Sequence, residues 1–482
     1  MKNTTRFIII ASDLVDALAY SSDCNCACPI SGAAAPAYQL TPRTLLAPHP
    51  QQQHIDLTSD YSVAFAPSIS RVTVLNRAAQ ELLKRFQTPC TLGDLANDEQ
   101  VAAQQLVQLG LLHMAAPPAP PPADELIAWL HVTNACNLRC TYCYVDKNAE
   151  AMSPEVAFAA VDKVFQSARS HGYRRVSLKY AGGEASLNLP LVAEMHTYAR
   201  SQAAAFGIEL RGVVLSNGVG LTRHKLQVIK DLDLCLMISL DGPQAFHDAQ
   251  RPRLGGQGSF NAVIASIERA QALGLTLTIS ITVTGASVGG LPPLVAWLLE
   301  RELHFTLNFY RECEPSVRFR ELQLEEQRLI DGMRAAYREV ERRLPRYSLL
   351  GCLLDRANLS VSHQHTCAAG ENYLVIDHHG RIAKCQMELA SPVTSIWADD
   401  PLSVIRLDVR GVQNVPVDQK EGCRDCAWKY WCAGGCAVAT YRATGRYDIK
   451  SPNCGIYKAL YHDVIRLEGL RLLRWADARH SD

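Results

Sequence analysis

Asn134-Ala135-Cys136-Asn137-Leu138-Arg139-Cys140-Thr141-Tyr142-Cys143-Tyr144 places three cysteines in a C-x3-C-x2-C pattern. The stretch directly follows an apolar run, Glu125 to Thr133, so all three thiols belong to one loop at the end of an expected strand. Three thiolates can hold three irons of a 4Fe-4S cluster and leave the fourth iron without a protein ligand, open to a substrate or cofactor. A structural zinc site, by contrast, closes with four ligands, and His131 would be the residue to supply the fourth. A set of buried structural thiols is the third reading of the same residues.

Working outward, strand-like runs recur at Arg175 to Ala181, Glu209 to Ser216, Leu234 to Leu240, Leu275 to Val283 and His304 to Phe309, separated by amphipathic stretches. The first of these shows the helical logic. Ser153 suits an N-cap, Pro154 the first turn, and Val156, Ala160, Val164 and Ala168 form one stripe. Six strand-helix repeats predict an α/β fold whose parallel sheet curves into a full or partial (β/α)6 barrel, with its chemistry at the carboxyl ends of the strands. Three more motifs fall at such ends. They are Tyr180-Ala181-Gly182-Gly183-Glu184, Ser216-Asn217-Gly218, and Ser239-Leu240-Asp241-Gly242-Pro243 with His247, Asp248 and Arg251 beyond it. Singly, each reads as a turn; their order behind one cysteine loop gives them weight.

These motifs resemble the radical SAM superfamily from about Glu125 to Phe309, with Tyr142 at the aromatic position before the last cysteine. The resemblance implies that Cys136, Cys140 and Cys143 ligate a 4Fe-4S cluster whose open iron binds S-adenosyl-L-methionine (SAM). Gly182, Gly183 and Glu184 match the motif that receives the methionyl ammonium. Ser216, Asn217, Ser239 and Arg251 are the further cofactor-binding residues it implies, the arginine suiting a carboxylate. The implied chemistry is reductive cleavage of SAM to a 5'-deoxyadenosyl radical that abstracts a substrate hydrogen, with ferredoxin or flavodoxin as electron donor. No catalytic base is assigned.

The carboxyl-terminal cysteines have their own order: Cys367, Gly380-x4-Cys385, Cys423-x2-Cys426-x5-Cys432-x3-Cys436, and Cys454. This is similar to the SPASM domain of peptide-modifying radical SAM enzymes, which holds two auxiliary iron-sulfur clusters. The resemblance implies one cluster on Cys423, Cys426, Cys432 and Cys454. It implies another on Cys367, Cys385 and Cys436, completed by an upstream cysteine. Cys352 is the first candidate for that place and Cys313 the second; failing both, an iron stays open. C-x2-C pairs also suit zinc ribbons, which is the competing chemistry. Sulfatase-maturing members carry an Asp base after the G-x4-C cysteine. Here Gln386 stands there and cannot take up a proton in that way. Asp377, His378 and Glu388 lie near in sequence and read as ordinary solvated side chains.

The remaining features bound the class of protein. The chain has 482 residues with 48 Lys+Arg against 48 Asp+Glu, so no uniformly basic surface invites nucleic acid. No apolar run approaches the ~20 residues of a membrane span. The basic start at MKNTTR leads only to a short apolar stretch broken by Asp13 and Asp16, which argues against a secretory signal. Seventeen cysteines in such a chain point to metal or redox chemistry in a reducing, cytoplasmic setting rather than to disulfides.

Five prolines between Pro117 and Pro122 mark a spacer. Before it, a hairpin from about Tyr61, a helix capped by Asn76 with Ala79, Leu82, Leu83 and Phe86 on one face, a turn at Thr91, and a helix through Val101, Ala102, Leu106 and Leu109 form a small winged-helix-like module. That pattern is similar to the element that binds the leader of a ribosomal precursor peptide by strand addition. Joined by a spacer to a radical enzyme, it would raise the local concentration of the core peptide.

The expected organisation is therefore 1–58 uncertain and partly disordered, 59–114 leader recognition, 115–124 linker, 125–312 radical SAM barrel, 313–350 helical bridge and 351–482 SPASM domain. The expected activity is oxidative modification or crosslinking of a precursor peptide. The alternatives are a formylglycine-type sulfatase or protein maturase, or a zinc-binding peptide chaperone without turnover. Cys24, Cys26 and Cys28 find no role in this scheme.

Overall fold

The computed structural model describes residues 6–11, 40–67, 71–88, 90–113 and 123–476. The proline spacer and Cys24, Cys26 and Cys28 lie outside the described residues.

The amino-terminal part contains β1 (Ile9–Ala11), β2 (Leu45–Pro48), β3 (Gln53–Asp56), β4 (Tyr61–Phe65), β5 (Thr73–Asn76), α1 (Arg77–Arg85), β6 (Cys90–Thr91), α2 (Asn97–Gln108) and β7 (Leu112–His113). One antiparallel sheet has the order β1-β5-β4-β3 and a second the order β6-β2-β7. Three of these strands come from the segment before residue 59, in which the sequence shows no periodicity. Strands of three or four residues are too short to display a period, and β1 gains its pairing only from β5, through Ile9 opposite Leu75. Asn76 caps α1 by accepting from the Ala79 N–H, and Ala79, Leu82, Leu83 and Phe86 are buried together. In α2 the buried stripe is Ala102, Ala103, Leu106 and Val107, while Val101 is exposed, so that helix is rotated from the expected face.

The barrel runs β8 (Glu125–His131), α3 (Pro154–Ser170), β9 (Arg175–Ala181), α4 (Leu189–Phe206), β10 (Glu209–Ser216), α5 (Arg223–Asp231), β11 (Cys235–Ser239), α6 (Gln244–Gln250), α7 (Phe260–Ala272), β12 (Leu277–Val283), α8 (Leu291–Glu300) and β13 (His304–Phe309). Strands β8 to β13 are parallel and in sequence order, with helices in the connections between them. Every residue of β8 is buried, as a central strand between covered faces requires. The Ser153 side chain caps α3 as its sequence signals, accepting from the Val156 N–H.

Beyond α9 (Glu326–Arg342) come β14 (Tyr373–Ile376), β15 (Arg381–Ala383), β16 (Thr394–Ser395), α10 (Pro401–Leu407), α11 (Lys429–Cys432), α12 (Ala437–Thr444) and α13 (Cys454–Ala476). Strand β14 pairs in parallel with β8, and β15 and β16 follow antiparallel, so the cysteine-rich region extends the barrel sheet past its first strand. This continuity places the two cysteine regions on one scaffold.

Helix α13 packs against α9 and against β1, β4 and β5. Gly469 of that helix lies against Val63 and Leu57, and Phe65 stacks on Trp428 and Trp431 at 5.8 and 5.5 Å between ring centroids. The four-stranded sheet is therefore seated on the cysteine-rich region through aromatic burial. Among the described residues no helix is long and apolar enough to cross a membrane.

Candidate active site

The cluster loop leaves β8 and is seated on the ends of β9 and β10 by backbone contacts. The Gly183 N–H donates to the Thr133 carbonyl at 2.7 Å and the Glu184 N–H to that of Ala135 at 2.9 Å. A Cβ at Gly182 would collide with the Thr133 carbonyl, and one at Gly183 with those of Asn134 and Ala135. These glycines thus serve first to let two backbones touch directly beneath the cysteines.

Burial raises the Cys136 and Cys140 thiols, the latter to about 11, and Cys143 lies close enough to both to add to the rise. Three thiols on one short loop form a natural seat for a cation-rich cluster, which they would ligate as thiolates. Asn217 supports the loop, with Nδ2 donating to Asn137 Oδ1 at 2.7 Å and lying 3.7 Å from the Cys136 sulfur.

The remaining expected cofactor residues have definite partners. The buried Glu184 carboxylate accepts from the Ser216 hydroxyl at 2.8 Å, the Ser186 N–H at 3.0 Å and the Asn217 N–H at 2.6 Å, tying β9 to β10. Arg251 donates to the Tyr142 hydroxyl, which donates to Asp241 at 2.5 Å; Arg251 also lies 3.6 Å from Asp241. This buried triad braces the cluster loop against β11, and burial outweighs the opposing guanidinium to hold the Asp241 carboxyl above its usual range. Ser239 is half-buried at the end of β11, in register with Ser280 of β12. Asp241 was visible in the sequence only as part of a turn; the signal for its role is the pairing of an acid with Tyr142 and Arg251 across long sequence distance.

His247 accepts from the Asp241 N–H and meets the Ser259 hydroxyl at 3.0 Å, buried so completely that its imidazole falls to about 3. Asp248 accepts from the Ser259 and Phe260 N–H groups and anchors the start of α7. The His-Asp pair is part of the loop's frame.

The carboxyl-terminal cysteines gather in two places. Cys423, Cys426, Cys432 and Cys454 line one cavity with Trp428, Tyr457 and Tyr461. Cys367, Cys385 and Cys436 influence one another's ionisation. Between Cys432 and Cys436 the chain reverses through Ala433, Gly434 and Gly435, all at positive φ, and the Thr366 hydroxyl bonds the Ala433 and Gly435 carbonyls. That turn sends neighbouring cysteines to different groups.

Buried cations compensate them. Lys420 bonds the Ala433 carbonyl at 2.8 Å and is near cysteines of both groups, burial lowering its proton affinity. Arg311 reaches the Cys436 sulfur at 3.2 Å and holds Asp355 with two contacts of 2.9 Å. Burial would raise the Cys436 thiol, but Arg311 and Arg356 outweigh it and lower it. None of these three cations is signalled by a motif.

Cys352 does not join them, and the expected ligand there is corrected. Its thiol is buried in the hydrophobic core against the Ser348 and Leu349 carbonyls, with Glu468 and Arg471 as its charged neighbours. The long irregular stretch between α9 and β14 folds it inward as a packing thiol. Cys313 lies nearer the chemistry, since Cys143, Cys385 and Cys313 all surround Tyr144. Gln386 is buried beneath Cys385 and accepts from Tyr373 OH at 3.0 Å. Asp377 is consumed by the β14–β15 turn, accepting from the His379 and Arg381 N–H groups.

A cysteine-bearing loop at the carboxyl end of the first of six parallel strands, braced by the next three, defines a radical SAM site. Residues 130–287 match the radical SAM superfamily, and the chain contains that domain. That domain marks the chain as an enzyme, and the superfamily it matches implies SAM and a 4Fe-4S cluster as cofactors.

Its relatives include the serine-type anaerobic sulfatase-maturating enzyme of Klebsiella aerogenes, 22% identical over 76% of this chain and 90% of that one. The sporulation killing factor maturation protein SkfB of Bacillus subtilis is 26% identical over 32% of this chain and 35% of its own length. Among solved structures, anSMEcpe with bound AdoMet and a peptide superposes with a TM-score of 0.60 at 16% identity, over 74% of this chain and 99% of that one.

Proposed function

We propose that this protein oxidatively modifies or crosslinks a ribosomally made precursor peptide. The observation that carries the reading is the pairing of an open three-cysteine loop with a second, seven-cysteine region on one continuous sheet. When bound at Cys136, Cys140 and Cys143, the cluster and SAM would supply a 5'-deoxyadenosyl radical for hydrogen abstraction. The protein's own part is to orient and to exclude water. Gly182 and Gly183 set the loop height, the Tyr142-Asp241-Arg251 triad fixes its tilt, and Ser239 ends β11 on the same side of the sheet as the loop's other braces. The buried Tyr144 hydroxyl feels Cys143 of the first group together with Cys385 and Cys313, and in this reading a substrate side chain passes near it from one group to the other.

In this reading Cys423, Cys426, Cys432 and Cys454 hold a fully ligated auxiliary cluster. Cys367, Cys385 and Cys436 hold another, with Cys313 or a substrate thiol as its fourth ligand. The amino-terminal module binds the leader segment along β3, an edge strand of its sheet. A ferredoxin or flavodoxin supplies the electron.

Sequence kinship with the Klebsiella enzyme favours a second reading, maturation of a sulfatase serine or cysteine. Gln386 at the base position weighs against it. Anaerobic reconstitution followed by co-expression with short reading frames adjoining the gene tests both. The first reading expects roughly 8 to 12 irons per chain, SAM cleavage, and a mass loss of hydrogen pairs in a small peptide. A colourless zinc protein that yields no 5'-deoxyadenosine would sink it, and oxidation of a sulfatase peptide alone would replace it.

A further inference from the structure

We propose that Glu150, His378 and His379 form a binding site for one divalent transition metal of the zinc class, separate from both cysteine regions. One potential ligand atom from each lies within 4.8 Å of the others. The set is built from two elements that meet only in the fold. His378 and His379 follow β14, where Asp377 accepts two N–H bonds and Gly380 at φ +78 turns the chain into β15. Glu150 comes from the segment after the cluster cysteines.

The carboxylate is preset. Its Oε2 receives Asn148 Nδ2 at 3.0 Å and His378 Nε2 at 3.1 Å, with Asn134 Nδ2 at 3.4 Å. The Glu150 backbone carbonyl is in turn bonded by the Thr133 hydroxyl at 3.0 Å and the Asn134 N–H at 2.8 Å. The His379 ring stands 4.1 Å from that of His378.

A second observation points to a ligand. His131 lies behind, its ring 6.1 Å from that of His378 and its Nε2 bonded to Asn134 at 2.7 Å. The Nδ1 atoms of His131 and His378 are both buried without a protein hydrogen-bond partner, on residues 1% and 6% exposed. Buried imidazole nitrogens are rarely left so. Two imidazoles and one carboxylate are a nitrogen-oxygen donor set suited to zinc, and the exposed Glu150 and His379 leave coordination positions toward solvent. With no cysteine in it, the set does not compete for iron-sulfur assembly.

A metal here would bond the cluster loop, through Glu150 and its ties to Thr133 and Asn134, to the hairpin that leads to Cys385. It would fix the separation between the two cysteine regions.

The test uses the anaerobically reconstituted holoenzyme, incubated with zinc and desalted, with zinc and iron counted together and zinc X-ray absorption recorded. One zinc per chain with a nitrogen-oxygen shell and imidazole scattering is expected. The Glu150→Ala/His379→Ala variant should bind zinc at least about tenfold more weakly at unchanged iron content. Should that variant lose iron as well, the singly changed Glu150→Gln is compared instead, and it too must lose zinc. A sulfur-dominated zinc shell, equal zinc in wild type and variant, or no zinc retained by the wild type overturns the proposal.

Discussion

The two cysteine regions solve the same problem by different means. Cys136, Cys140 and Cys143 sit on one short loop whose shape is set by close backbone contact with Gly182 and Gly183. Cys367 to Cys454 come from distant segments, sorted into two groups by a chain reversal at Ala433–Gly435 and balanced by Lys420, Arg311 and Arg356. The first region depends on steric fit between two backbones. The second depends on charge compensation in a buried place, where unbalanced thiolates would be costly.

That contrast is open to attack from both sides. The largest effect should come from Cys140→Ala, which removes one of only three ligands. Production of 5'-deoxyadenosine should fall below detection, and about four irons per chain should be lost while the remainder stays. Equal loss from both regions would show that they do not assemble independently. Gly183→Ala adds a methyl group against two carbonyls and should displace the loop by a fraction of an ångström to an ångström. A drop of about a hundredfold in SAM cleavage is expected, with the carboxyl-terminal irons retained.

Arg311→Met probes the other side. It leaves Asp355, only 2% exposed, without its cation and should cost about 3–5 kcal/mol in a urea unfolding titration. Arg311→Lys, which keeps the charge, should recover part of it. A neutral outcome for Arg311→Met would remove charge compensation as the organising force.

The smallest effect concerns His247 behind the first region. Its folded imidazole at about 3 lies below the unfolded value of 6.5, so between these the unfolded chain binds the extra proton. Stability therefore declines as pH falls below 6.5, by up to about 1.4 kcal/mol per pH unit from this group. Urea midpoints should fall from about pH 7 to 5, with His131, His196 and His363, each depressed to about 4, contributing in the same sense, and His247→Gln should lessen the slope by this group's share.

How much of this was legible in the sequence follows the same division. The barrel strands, the capped α1 and α3, and the cluster loop are local features, written in period, cap and spacing, and they stand within a few residues of expectation. The parallel pairing of β14 with β8 is a contact between segments far apart, and β1 is three residues that become a strand only beside β5. Cys352 ranked ahead of Cys313 as the spare thiol upstream of Cys367. Only packing separates them, placing one under Glu468 and the other beside Tyr144. The bracing acid Asp241 and the cations Lys420 and Arg311 carry no motif because what selects them is a partner's charge across the fold.

The seating of the amino-terminal sheet alters how a bound peptide would be delivered. A module on a loose proline tether would search a volume, and the modified residue would be set by encounter. Here Phe65 is pinned on Trp428 and Trp431, and Gly469 admits Val63 and Leu57 into the surface of α13. A strand added along β3 would then start from a fixed origin, like the zero mark of a ruler. The distance along the peptide from that mark to the reacting residue would be counted in residues, and inserting or deleting spacer residues in the substrate should shift or abolish the modified position.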